Sequence, residues 1–182
     1  PAYKAAFLAR TLACIAAQTD QRFRLYVGDD ASPEPLGDIV RGCTMPADRI
    51  VYRRFEANLG RKSLTQHWDR CIRLSHEPWV WLFSDDDLMS EDCVASLLEG
   101  MQKTGEMYDL YRFNTVMVDA NDHLVAMNPP HPEWETWNQF AYFLLRQLRQ
   151  TVQQEMIFRR ASYDRLGGFL DVPLAWASDH AF

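Results

Sequence analysis

The sequence predicts an α/β protein, a mainly parallel sheet flanked by helices. Stretches with helical spacing of apolar residues alternate with β-branched and aromatic runs, as in βαβ units. One run, Pro78 to Phe83 (PWVWLF), is apolar at successive positions, as a strand covered on both faces should be. At 182 residues the chain is long enough for a single domain, 1–182, with its own core.

In chain order, Leu8, Thr11, Leu12 and Ile15 share one face of a helix over 4–18. Strands follow over 23–28 (FRLYVG) and 49–55 (RIVYRRF). Leu64, Trp68, Cys71 and Ile72 mark a helix over 62–75, ahead of the strand 78–83. Val94, Leu97, Leu98 and Met101 mark a helix over 91–103, with Ser90 as N-cap and Glu91 and Asp92 in its first turn. The run 108–119 reads as one strand, with 119–122 a turn and 123–127 pairing back as a hairpin. Asn128-Pro-Pro-His-Pro132 reads as a loop. Trp137, Phe140, Ala141, Leu144 and Leu148 predict a helix over 136–149, and 152–158 a further strand. Gly167 and Gly168 suit the C-cap of a short helix.

Composition narrows the function. Nineteen basic residues against 25 acidic give a net charge of −6 and no basic stripe, which argues against nucleic acid as the main partner. Cys14, Cys43, Cys71 and Cys93 lack metal-site spacing and read as reduced thiols of a reducing compartment. No run of 18 apolar residues suits a membrane-spanning helix.

The chemistry concentrates at strand ends, where ligands sit in open α/β sheets. Gly28-Asp29-Asp30-Ala31-Ser32 follows one strand, and Phe83-Ser84-Asp85-Asp86-Asp87 follows another. Three successive carboxylates repel one another, and a hard divalent cation, Mg²⁺ or Mn²⁺, is their natural partner. The plainer reading is a solvated acidic loop.

The stretch from Pro1-Ala-Tyr-Lys through Cys14-Ile-Ala-Ala-Gln-Thr19 to Phe23–Ser32 resembles the opening of family 2 glycosyltransferases. Asn58-Leu-Gly60, Trp79–Asp87 and Trp176-Ala-Ser-Asp-His180 continue the resemblance in order. It implies a Rossmann-like GT-A fold and an inverting transfer from a nucleotide-sugar, a UDP-sugar above all, to a saccharide or lipid-linked acceptor. It also implies a first strand before Pro1 and helices beyond Phe182, so that the chain reads as truncated at both ends. Residues 1–105 are expected to bind the nucleotide-sugar and 106–182 to form the acceptor side. The commonest setting of the family, bacterial surface-polysaccharide assembly, implies a cytoplasmic enzyme with contact at the inner membrane face allowed.

Residue by residue, the resemblance puts Tyr3 beside the nucleotide base and Asp30, with Asp29, on the uracil or ribose. Ser84 stands where the family's first metal-motif aspartate is usual. Asp86 is then the expected direct cation ligand, with Asp87 and Asp85 supporting it or touching the ribose. Arg61 is expected near the diphosphate, though an exposed helix start explains it equally. Asp179 matches the general base, which a partly desolvated carboxylate can be; a helix N-cap is its plainer reading. Trp134 and Trp137 either stack on an acceptor sugar or pack a loop on the sheet. A nucleotidyltransferase and a non-catalytic carbohydrate- or nucleotide-binding module are the alternatives.

Overall fold

The computed structural model describes residues 1–175 and 177–182, without the Leu174 side chain. Helix α1 (Ala5–Ala16) buries Leu8, Thr11, Leu12 and Ile15, the expected face. Its first amides are capped from elsewhere in the chain: Glu34 accepts Ala5 N–H at 2.7 Å, and Asp85 accepts Tyr3 and Lys4 N–H. Strand β1 (Leu25–Asp29) pairs in parallel with β2 (Ile50–Arg54), and a short helix α2 (Leu36–Arg41) lies between them in sequence. Leu8, Leu12, Val27, Leu36 and Val40 make the core of this half.

Helix α3 (Leu64–Ile72) starts at Ser63, whose hydroxyl accepts Gln66 N–H. Strand β3 (Trp79–Trp81) follows, then α4 (Cys93–Thr104). Helix α4 begins beyond the expected Ser90 cap. Ser90 O accepts from the Gln18 amide and Glu91 O accepts from Thr19 N–H, so these residues serve the end of α1 instead.

The expected strand over 108–119 is two strands, β4 (Leu110–Arg112) and β5 (Val116–Val118). Phe113 N–H turns to Glu155 O, while β5 leaves to pair with β6 (Leu124–Met127) in the expected hairpin. Asp119 closes that turn by accepting Asn121 and His123 N–H. Helix α5 (Trp137–Leu145) has a Thr136–Gln139 capping box.

A one-turn 3-10 segment, Gln153–Glu155, leads into β7 (Met156–Arg159), and α6 (Arg160–Leu166) ends at left-handed Gly167. Strand β7 inserts between β3 and β4 and runs antiparallel to both. The helix-flanked α/β class stands; β1 and β2 pair in parallel, while every pairing in the β3–β7–β4 sheet is antiparallel. Periodicity reports which residues are buried, not which way a strand runs.

Val80 is buried as expected of PWVWLF, but Trp79 and Trp81 are only half-buried. They line an apolar cleft of about 620 Å³ with Leu25, Leu97, Leu98 and Met101, across which β1 and β3 do not pair. Phe158, Met156, Trp68, Tyr163 and Phe169 form the second core. All four cysteines are free thiols. Among the described residues no helix is long and apolar enough to cross a membrane.

Candidate functional site

The two acidic strand ends converge on the segment Ala2–Lys4. Ala2 pairs in parallel with Asp29, and Ala2 O accepts Asp30 N–H at 2.9 Å. One residue on, Tyr3 O accepts from Ser32 Oγ at 2.5 Å, while Tyr3 N–H and Lys4 N–H donate to Asp85 Oδ2 at 2.6 and 2.8 Å. Residues distant in sequence are thereby held within two peptide units of each other.

The loop after β3 is fixed from several sides. Thr11 Oγ1, from the buried face of α1, donates to Asp85 O at 3.1 Å and Asp87 O at 2.9 Å. Gln153 Nε2 donates to Leu82 O at 2.8 Å, and Gln154 Nε2 to Ser84 Oγ at 2.9 Å. Asp86 alone of the three aspartates is exposed. Asp87 is half-buried, and its Oδ2 is buried with no hydrogen-bond partner among the described residues. Burial, then the charges of Asp86 and Asp85, push its pKa up, against the pull of Gln154 and Ser84.

Such an orphaned acceptor beside an exposed carboxylate fits a cation. Among the described residues no three His, Cys, Asp or Glu side chains form a ready cage. Mg²⁺ and similar ions commonly take one or two carboxylates and complete their shell with substrate phosphates and water. Asp86 and Asp87 suffice for that mode.

Asp29 and Asp30 present no free carboxylate face. Asp29 is fully buried, accepting Tyr52 OH at 2.5 Å, Arg54 Nη1 at 3.0 Å and Ser32 N–H at 2.8 Å. Asp30, 3% exposed, accepts Leu59 N–H at 2.7 Å and Gly60 N–H at 2.8 Å. Arg70 and His67 also face Asp30. The Asn58-Leu-Gly60 element is thus the cradle of Asp30: a Cβ at Gly60 would sit 2.7 Å from Asp30 Oδ2. Asn58 Oδ1 closes the turn on Arg61 N–H at 2.9 Å, leaving the Arg61 residue exposed.

Tyr3 is exposed beside Asp85. Asp179 lies in the turn after Pro173–Ala175, its side chain 15% exposed and 3.9 Å from His180 Nε2. The neighbouring Trp176 lies outside the described residues. Burial pulls the Arg112 pKa down, while Glu155, then Glu135 and Asp179, favour its charged form. Phe182, just beyond, packs on Phe158 and Phe169. Trp134 and Trp137 stand exposed rather than packed on the sheet.

With this geometry in view, residues 1–166 match the model of glycosyl transferase family 2. The chain belongs to that family. No match is found among curated protein sequences. Among solved structures the chain is similar to S. aureus TarS 1–349, at 17% identity and a TM-score of 0.71, covering 100% of this chain and 52% of that one. The same TarS fragment in complex with UDP gives 15% identity, a TM-score of 0.71 and coverage of 98% and 51%. The S. aureus TarS chain itself gives 16%, 0.71, and coverage of 98% and 30%. The chain therefore spans about half the length of TarS 1–349 and shares its α/β fold.

Five supporting residues have targets that the sequence does not mark. Arg70 holds Asp30 from α3 and is braced by His67, whose Nδ1 accepts from Arg70 Nε at 3.0 Å; their three-residue helical spacing is the available signal. Thr11 reads as core by its helical spacing, and its hydroxyl supports the acidic loop. Gln153 and Gln154 carry no motif.

Proposed function

We propose that this chain is the catalytic core of an inverting glycosyltransferase that moves a sugar from a UDP-sugar to a saccharide or lipid-linked acceptor. The observation that carries the reading is the Ala2–Lys4 bridge, which sets the Asp30 and Asp85 strand ends side by side. Family membership and the likeness to a fold solved with UDP support it.

In this reading residues 1–105 hold the nucleotide and 106–182 the acceptor. Tyr3 and the Asp30-held loop over 58–61 flank the base, with Asp29 anchoring the strand end and Asp85 reaching the ribose through Oδ1. Arg61 faces the diphosphate. Asp86 and Asp87 would hold Mn²⁺ or Mg²⁺. That ion, when bound, supplies positive charge against the leaving diphosphate. Asp179 takes the proton from the acceptor hydroxyl as its oxygen attacks the anomeric carbon opposite the leaving group. One displacement inverts that centre, so no protein nucleophile is required. Trp134 and Trp137 offer exposed aromatic faces to an acceptor sugar. Bacterial surface-polysaccharide assembly, at the inner membrane face, is the proposed setting.

The test is hydrolysis or transfer from UDP-sugars with Mn²⁺, following the anomer released. The proposal expects an inverted product, with turnover lost in Asp86→Ala and Asp179→Asn. Retained configuration would sink the mechanism. Binding without turnover would favour the non-catalytic module.

A further inference from the structure

The segment Gln153–Glu155 is fastened to the exit of β3 by three hydrogen bonds. Gln153 Nε2 donates to Leu82 O at 2.8 Å, Gln154 Nε2 to Ser84 Oγ at 2.9 Å, and Trp81 Nε1 to Gln154 O at 2.7 Å. Its other end is anchored by Glu155, 1% exposed, which accepts from Arg112 Nη1 at 2.6 Å and has His131 Nε2 at 3.1 Å. The segment is anchored at Glu155 on one side and touches the acidic loop through Gln154 on the other.

Ser84 keeps a fourth carboxylate away from three that already repel one another. Its Oγ offers a neutral acceptor that an amide can grip. Asp87, whose Oδ2 is buried without a partner among the described residues, lies beside both Ser84 and Gln154.

We propose that Gln154 is a positioning residue for the divalent cation: gripping Ser84, it fixes the 84–87 loop so that Asp87 is set beside Asp86 as ligand. This rests on the reading of Asp86 and Asp87 as the cation's ligands. A small hard cation tolerates little error in ligand direction, and losing a partner that orients a ligand commonly weakens metal binding by about 10- to 100-fold.

The test is Mn²⁺ titration of the chain with UDP present, read from the electron paramagnetic resonance signal of free Mn²⁺. Gln154→Ala and Ser84→Ala are each expected to weaken Mn²⁺ about tenfold. The double variant should bind no worse than the weaker single one, because both act through one contact. Melting temperature should move by no more than about 4 °C; a purely structural role would move it and leave Mn²⁺ affinity alone. Parent-like Mn²⁺ affinity in both single variants, with affinity lost in Asp86→Ala, overturns the positioning role and leaves the cation site standing. Unchanged affinity in Asp86→Ala overturns the cation site and this role together.

Discussion

Asp85 Oδ2 accepts the backbone N–H of Tyr3 at 2.6 Å and that of Lys4 at 2.8 Å. A side chain from the end of β3 thereby caps the approach to α1. The same peptide segment pairs with β1 at Asp29, so one carboxylate joins the two halves of the proposed site.

Asp85 and Asp86 are adjacent and should behave oppositely. Asp85→Ala removes the charged acceptor of two amides and should cost about 2 kcal/mol or more. Asp86→Ala removes an exposed like charge and should leave stability within about 0.5 kcal/mol. Urea unfolding of both variants checks this; equal losses contradict the division of roles.

Gly60→Ala forces a methyl group to within 2.7 Å of Asp30 Oδ2. Either the loop moves or Asp30 loses one of its two amides. The expected cost is about 1–3 kcal/mol, accompanied by weaker UDP binding. A variant as stable as the parent, with parent UDP affinity, contradicts the cradle.

His67 gives a pH signature. Burial foremost pushes its pKa down to about 4 from 6.5; Arg70 lowers it further, while Asp30 and Asp85 raise it. Between those values the unfolded chain binds more protons than the folded one. Stability therefore rises with pH through this window and falls on acidification. Melting temperature should drop between pH 7 and pH 5 in the parent and drop less in His67→Gln. Equal slopes reject the assignment.

Glu155 is buried between Arg112 and His131. Glu155→Ala strands Arg112, a buried cation, and should cost about 3–5 kcal/mol. Denaturant midpoints test it. A loss below about 1 kcal/mol means that water reaches Arg112.

Local pattern made the helices legible. The buried face of α1 is the one that spacing predicts, and Ser63 and Thr136 cap α3 and α5 through their own side chains. Helix α2 leaves no mark in the sequence, because six residues are too few to display a helical period. The break at Phe113 and the antiparallel insertion of β7 depend on pairing between distant strands, which local spacing does not encode. For the site, Asp30 and Asp85–Asp87 were readable as acidic strand ends. Their supports were not: Thr11, Arg70 and Gln154 act across the fold, and a hydroxyl, guanidinium or amide has no local mark of its target.

The most direct measurement is calorimetric titration of UDP into the chain with and without Mn²⁺, in the parent and in Asp86→Ala. The account predicts that Mn²⁺ tightens UDP binding at least about tenfold in the parent, about 1.4 kcal/mol, and has no effect in Asp86→Ala. UDP binding that ignores Mn²⁺ in the parent, or that keeps its Mn²⁺ dependence without Asp86, contradicts a cation held at the end of β3.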